Sequence, residues 1–399
     1  MTQLSSWLST LQSFELVLLI DEYDAPLTHC LDKPELFEEV RATMSELFLT
    51  LKSHEGRLRF FFMTGITKLS NTSIFCAFNN LQDISLDPFY GALLGYTEDE
   101  ISKYFSSYIA QAAKALLVSP DKVRSELKDY YDGFSFDERA HHHVYCPWSV
   151  LNFLNRPDRG FQNYWYSSGG QPSVLMKYLS NHALSQPITY AEVRELRLSE
   201  LNAARQYDDI GLDVLLTQAG YYTIREVTED GYALLGYPNW EVAGSMAELY
   251  ANELTQGKRI RSSAATPIRS AMAKGALEAV IDYFNAAVTA IDYHRYPIKD
   301  EASCRAYMQV LLIGAAMIPK VEIHNAHGRS GMEVEVNGQH WVFEFKFARR
   351  SSEVTDLLDE AINQLRTRHY GETSVNTNRI SVALVFDSQK RRFTAWQRA

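Results

Sequence analysis

Apolar and polar positions alternate along the chain in ways that predict its elements. Leu4, Trp7, Leu8 and Leu11 recur at helical spacing, which predicts a short amphipathic helix at the start. Leu16-Val17-Leu18-Leu19-Ile20 is an unbroken apolar run closed by Asp21 and Glu22, the form of a buried parallel strand. Leu36, Phe37, Val40, Met44, Leu47, Phe48 and Leu51 make one helical stripe. Residues 59–63, bounded by Thr64 and Gly65, read as a second strand. Helix, strand, helix, strand in that order predicts an α/β layer with parallel strands.

Further along, Thr97 and Glu100 form a capping box that opens a helix to about Leu117. Ser119-Pro120 opens another, with proline at its first position. Residues 130–166 are aromatic and irregular. Residues 220–227 and 232–237, around Glu229-Asp230-Gly231, predict a β-hairpin, and the small, polar stretch 257–266 predicts a domain junction. The last third begins with helical patterning that runs through residues 301–317. It continues with a strand over 331–336, an Asn337-Gly338 turn, a strand over 339–347, a helix over about 353–367 and a strand over 379–386. That order is α-β-β-α-β. The predicted domains are 1–120, 121–260 and 261–399.

Composition narrows the class. Over 399 residues, 46% are hydrophobic and 22% charged, which is globular usage and excludes a disordered or collagen-like chain. The net charge of -10 argues against a surface coated for nucleic acid, so any such contact needs a local basic patch. Arg349, Arg350, Lys390, Arg391 and Arg392 are the candidates, with a solvated surface as the alternative. No apolar run reaches the 18 residues of a membrane span, so no membrane contact is expected. Four scattered cysteines without a C-x-x-C fit a reducing cytoplasm. The run His141-His142-His143 near Cys146 reads as a polar surface loop, because consecutive side chains do not converge on one ion.

Two segments carry candidate chemistry. An apolar strand that delivers Asp21 and Glu22 to its carboxyl end has the form of a Walker B segment. In such sites the first acid holds Mg²⁺ and the second orients the attacking water; the alternative is a strand ending in solvated acids. In Phe343-Glu344-Phe345-Lys346-Phe347, the strand period puts Glu344 and Lys346 on one face and the phenylalanines on the other. Two charges beside a core need a reason. A nuclease supplies one, with the carboxylate on Mg²⁺ and the lysine steadying charge; the alternative is an ion pair at a sheet edge.

The neighbours of Asp21 and Glu22 carry a resemblance. Residues 19–27, Leu-Ile-Asp-Glu-Tyr-Asp-Ala-Pro-Leu, resemble the signature of the AAA-ATPase-like family found fused to PD-(D/E)XK nucleases. Residues 62–70 and 74–86 are similar to further signatures of that family. So are Tyr131-Asp132-Gly133-Phe134, Val144-Tyr145-Cys146-Pro147, Tyr164-Trp165, Gly220-Tyr221-Tyr222-Thr223-Ile224 and Pro238-Asn239-Trp240-Glu241-Val242. Cys146 stands where that family usually has asparagine. The resemblance spans nearly the whole chain. It implies a partial P-loop NTPase-type α/β layer, a helical and hairpin middle, and a C-terminal restriction-endonuclease-like α/β domain.

The resemblance also implies a site. Val342 to Lys346 resembles the family's (D/E)-x-K strand, and Ala361-Ile362-Asn363-Gln364-Leu365 with Tyr370 its A-x-x-Q-I…Y helix. Gly328-Arg329-Ser330 is similar to its GR-x-D approach, Glu301 to its upstream acid, and Glu322 to a second acid. The implied catalytic set is Glu344, Lys346, Glu301 and Gln364, with Glu344, Glu333 and Glu301 on Mg²⁺ or Mn²⁺ and DNA or RNA as partner. The family's metal-binding aspartate falls at Gly331, which has no ligand atom; Glu333 is the next acid on that strand face. Restoring the acid as Gly331→Asp is therefore expected to strengthen metal binding.

A phosphate loop, G-x-x-x-x-G-K-[S/T], occurs nowhere in the chain, and only 15 residues precede the Asp21 strand. Without that backbone cradle, ATP binding and ATPase activity are not expected, and Asp21 and Glu22 become the remnant of a nucleotide site. The chain is then either an N-terminally truncated product or one with a vestigial ATPase half. In both cases the first sheet is expected to have an uncovered edge prone to self-association. The sequence thus supports two functional classes. One is metal-dependent phosphodiester hydrolysis at an impaired site. The other is a non-catalytic nucleic-acid or protein binding or regulatory module.

Overall fold

The structure is a computed structural model and describes residues 1–31, 33–68, 81–167, 193–203, 210–255, 268–315, 317, 319–321, 324–325, 328–329, 331–367 and 378–399. The chain is mixed α/β and forms two compact units, divided in the main after Ala243.

The first unit opens with the predicted helix–strand–helix–strand order: α1 (Thr2–Ser9), β1 (Leu16–Ile20), the short α2 (Ala25–Thr28), α3 (Pro34–Ser53) and β2 (Leu58–Met63). Strands β1 and β2 run parallel, with Val17 beside Phe60 and Leu19 beside Phe62. Burial corrects the sequence reading here. Val17, Leu19 and Phe60 share one face and are 51%, 67% and 54% exposed. An apolar run reads the same whether covered or not, and two strands alone cannot bury both of their faces.

A helical core follows. Thr97 caps α4 (Glu98–Tyr104) through the predicted capping box with Glu100. Phe105, with φ near -110°, separates it from α5 (Ser106–Leu116), so the single predicted helix is two. Ser119 caps α6 (Pro120–Tyr131) by accepting from the Lys122 amide. A further helix, α7 (Pro147–Asn155), lies in the stretch read as irregular. These four elements bury Ile101, Ile109, Val123, Leu127, Tyr131, Val150 and Phe153 in one cluster. Then come α8 (Tyr164–Ser167), β3 (Arg194–Arg197), α9 (Leu198–Asn202), α10 (Leu212–Gln218), β4 (Thr223–Val227) and β5 (Tyr232–Gly236). The predicted hairpin β4–β5 gains β3 as a third strand, in the order β3-β5-β4.

Stretches far apart in sequence meet in this unit. The Asn239 side chain donates to the Asp132 carbonyl at 2.7 Å, and the Ser135 amide donates to Thr223 Oγ1 at 2.8 Å. The Trp165 amide donates to Glu241 Oε1 at 2.8 Å, and the Trp165 ring meets Tyr221 edge-on at 5.0 Å. Gly133, at φ +94°, lies so close to the Pro238 carbonyl that a side chain has no room.

Helix α11 (Trp240–Thr255) leads into the second unit, which continues with α12 (Ile268–Ala273), α13 (Leu277–Ala290) and α14 (Glu301–Gly314). The strands are β6 (Pro319–Val321), the two-residue pair β7 (His324–Asn325) and β8 (Gly328–Arg329), β9 (Met332–Val336) and β10 (Gln339–Ala348). Helix α15 (Val354–Thr367), β11 (Asn378–Asp387) and β12 (Arg392–Arg398) complete it. The sheet order is β12-β11-β10-β9-β6; β10 and β11 are parallel, and the other pairs are antiparallel. Asn337 and Gly338 both have positive φ, as a two-residue hairpin turn requires.

Strand β10 is central and covered on both faces. Trp341 and Phe343 are fully buried and Phe345 nearly so. On that side, Phe284 of α13 meets Phe343 at 5.7 Å, and Asn285 exchanges two hydrogen bonds with the backbone of Phe393. On the other side, Ala361, Ile362 and Leu365 of α15 join Val342 and Ala383 in one core cluster. Among the described residues, no helix is long and apolar enough to cross a membrane.

Candidate active site

In the first unit, Asp21 and Glu22 stand at the carboxyl end of β1, and Thr64 stands at the same end of β2. Asp21 Oδ1 accepts from the Thr64 hydroxyl and from the Glu22 amide. Asp24 is buried and accepts from the Ile66 amide at 3.1 Å, the Thr67 amide at 2.9 Å and the Thr67 hydroxyl at 2.7 Å. The Tyr23 hydroxyl donates to the Thr67 carbonyl at 2.6 Å. The two strand-end signatures therefore bind each other. Residues 69–80, within the second and third signatures, lie outside the described residues.

In the second unit, Glu344 and Lys346 lie on the α15 face of β10 and are 8% and 7% exposed. A lysine ammonium so deep in a sheet needs counter-charges. Glu360 of α15 supplies the nearest, with Oε1 at 2.7 Å from Nζ. Glu301, the first residue of α14, lies at 3.8 Å. Burial by itself lowers the lysine pKa. The Glu360 hydrogen bond and the charges of Glu301, Glu360 and Glu344 more than offset that and hold it above its usual range. Lys346 is therefore a fixed cation. Gln364, one turn beyond Glu360 on α15, donates to Glu360 Oε1 at 3.1 Å and joins the cluster through it.

Glu333 shares this sheet face, its pairing position lying two residues before Glu344 along β10. It opposes Val342 across the β9–β10 pair and bonds His340 Nε2 at 2.9 Å, toward the other end of the sheet from Lys346. Gly331, next along from Met332, comes against Glu344. A Cβ built on it would lie 2.5 Å from the Phe343 carbonyl and 3.3 Å from Glu344 Oε2. This corrects the expectation for Gly331→Asp, because the site has no room for a side chain at 331 unless backbone moves. Glu322, Ser330 and Tyr370 lie outside the described residues. Among the described residues, no group of three His, Cys, Asp or Glu is disposed to hold a metal. In the histidine run, His142 Nδ1 sits 2.8 Å from the buried Asp137, which also accepts three backbone amides of that loop.

Two partners were not singled out from sequence. Glu360 lies four residues before Gln364, hence on the same helix face, and that spacing was the available signal. Thr64 closes the second strand as Asp21 and Glu22 close the first, which was a weaker one.

A mixed sheet flanked by helices, with an acid and a lysine two apart on its central strand, is consistent with a restriction-endonuclease-like fold. Residues 300–396 match the PD-(D/E)XK nuclease superfamily, and residues 1–75 match the predicted AAA-ATPase family, so the chain carries an AAA-ATPase-like domain and a PD-(D/E)XK nuclease domain. A protein of Azotobacter chroococcum mcd 1, described as an uncharacterized protein in the vnfD 5' region, is 29% identical over 365 residues. The match covers 89% of this chain and 66% of that protein. No solved structure matches the chain.

Proposed function

We propose that the nuclease domain is a metal-assisted phosphodiesterase centre directed at nucleic acid and working with a reduced set of carboxylates. The observation that carries this reading is the buried ammonium of Lys346, held by Glu360 and Glu301, with Glu344 two residues back on its own strand face. Mg²⁺ is commonly held by one or two carboxylates together with water and substrate phosphates, and Glu344 with Glu301 fits that smaller set. A divalent ion there supplies Lewis acidity toward a phosphoryl oxygen. Lys346 brings a permanent positive charge to the developing negative charge of the phosphate, and Glu360 with Gln364 fixes where that charge sits. The test is cleavage of labelled DNA and RNA, single- and double-stranded, with Mg²⁺ and with Mn²⁺, which tolerates a less ideal ligand set. Wild type is expected to cleave slowly, best with Mn²⁺, and Lys346→Ala not at all.

The second reading, a binding or regulatory module without chemistry, is favoured by one observation, the lack of room for an acid at Gly331. Absence of cleavage with either metal would select it. In the first unit, Asp21 and Glu22 are read as the remnant of a nucleotide site. The free thiols of Cys30, Cys146 and Cys304 support a reducing, cytoplasmic setting.

A further inference from the structure

Two loops at the carboxyl end of the central strands are fastened to each other. One follows β10 and carries Arg349 and Arg350 into α15; the other joins β11 to β12 and carries Lys390 and Arg391, with Arg392 opening β12. The Ser388 amide donates to the Ala348 carbonyl at 3.0 Å, and the Ser388 hydroxyl to the Arg349 carbonyl at 3.1 Å. The Ser351 hydroxyl donates to Asp387 Oδ2 at 2.7 Å, and the Ser351 amide to Gln389 Oε1 at 3.1 Å.

Asp387 is the fastener. It is fully buried, and it also accepts from the amides of Gln389 and Lys390. Burial alone would raise its pKa. The Ser351 bond and the two amides more than offset that and hold the carboxyl below its usual range.

The result is five exposed cations on one bound pair of loops and the first residue of β12, within a chain of net charge -10. The acids beneath them are engaged. Glu353 Oε2 accepts from the amides of Arg349 and Arg350, and Lys390 Nζ reaches Asp387 only at 3.9 Å. Among the described residues, no carboxylate pairs with the guanidinium of Arg349, Arg350, Arg391 or Arg392, while Arg391 lies over the Tyr293 ring at 4.4 Å. Four guanidinium groups that have no carboxylate partner among the described residues suit an anion with repeated charges rather than one carboxylate.

Position decides which polyanion. Ala348 lies two residues beyond Lys346 on the same strand face, about 6–7 Å along it. The loop that follows turns onto the side where α15, Glu344 and Lys346 lie. A duplex presents one charge per about 1.7 Å of axis, so a backbone crossing the Lys346 site would lay several phosphates across these loops. We propose that Arg349, Arg350, Lys390, Arg391 and Arg392 form the surface that grips the phosphate backbone of a nucleic acid and lays it across the Lys346 site. The inference rests on the nuclease reading for its orientation, but not for its measurement.

The experiment is fluorescence anisotropy of a short labelled duplex with the full chain in EDTA, over a series of salt concentrations. Two double variants, Arg349→Ala with Arg350→Ala and Lys390→Ala with Arg392→Ala, are compared with a control, Lys103→Ala with Lys114→Ala, in the first unit. Wild type and control are expected to bind alike, with affinity falling as salt rises. Each patch variant is expected to bind at least tenfold more weakly and to lose about 2 from the log–log salt slope, near one per cation removed. These side chains are solvent-facing, so melting temperatures should not change. Unchanged affinity and slope in both patch variants would overturn the proposal. So would no binding by wild type at low salt, an equal loss in the control, or capture of anionic phospholipid vesicles but not the duplex. A metal-loaded cleavage assay separates the two readings. Patch-dependent binding without cleavage keeps the surface and removes the nuclease. Cleavage and binding indifferent to the patch do the reverse.

Discussion

Glu360 holds the Lys346 ammonium at 2.7 Å across the gap between helix α15 and the central strand β10. The lysine is thus committed to a charge from another element, and the site's electrostatics depend on helix and sheet being in place together.

Asp24 ties the two strand-end signatures by accepting from Ile66 and Thr67. Asp24→Ala leaves those donors without their acceptor. A loss of about 2–4 kcal/mol is expected, because a buried donor stranded without an acceptor costs about 1–3 kcal/mol. Urea unfolding followed by tryptophan fluorescence measures it, and an unaltered midpoint would contradict the account.

The bare face of β1 and β2, with Val17, Leu19 and Phe60, should drive self-association. Light scattering after gel filtration should show species larger than the monomer that grow with concentration. Val17→Thr with Leu19→Thr, which keeps β-propensity, should shift the chain toward monomer. A wild type that stays monomeric over the whole concentration range would count against this.

The absence of a phosphate loop from the sequence bears on nucleotide. Calorimetric titration with Mg-ATP should give no heat of binding in the micromolar range. A micromolar dissociation constant would mean that another set of backbone amides cradles the phosphates.

Glu241 is fully buried at the start of α11 and accepts from the Trp165 amide. Burial pushes its carboxyl up to about 7 from the ordinary 4.5, against the lowering effect of its hydrogen bonds. The folded form then keeps a proton that the unfolded chain has already released, so stability falls as pH rises from about 4.5 to about 7 and is level above. Glu241→Gln, neutral throughout, should remove that slope. Relative to wild type, the variant should gain on the order of 2 kcal/mol between about pH 5 and about pH 8. Parallel stability–pH curves for the two proteins would refute the assignment.

Gly331 lies against the Phe343 carbonyl. Gly331→Ala and Gly331→Asp should both lose about 1–3 kcal/mol, as overpacking of a tight site does. Cleavage by Gly331→Asp should not rise. A stable, more active aspartate variant would show that the strand can yield.

How much of this was legible in the sequence follows from which physical signals are local. The period of two in β10 placed Glu344 and Lys346 opposite the phenylalanines, and Asn337-Gly338 fixed the preceding hairpin, because both are properties of adjacent residues. Thr97 with Glu100 is local in the same way. Helix α7 was hidden, since nine residues rich in aromatic and apolar side chains show little helical periodicity. The choice of Glu360 as the partner of Lys346 depends on how α15 is rotated against the sheet, which the helix's own pattern leaves open. The bareness of Val17 and Leu19 is a fact about what lies over the strand, and the strand's own residues carry no trace of it. The lack of room at Gly331 comes from a backbone carbonyl on the neighbouring strand, invisible at the level of residue type.

The bond between Asn239 and the Asp132 carbonyl spans 107 residues, Ser135 to Thr223 spans 88, and Trp165 to Glu241 spans 76. During synthesis at about 5–20 residues per second, Asp132 is incorporated some 5–20 s before Asn239 exists. Through that interval the α4–α7 helices can gather locally, while the Asp132 carbonyl, the Ser135 amide and the Trp165 amide wait for partners still to be made. The last segment to arrive, 238–241, closes two of these three bonds, so the first unit should complete its packing only once that segment is made.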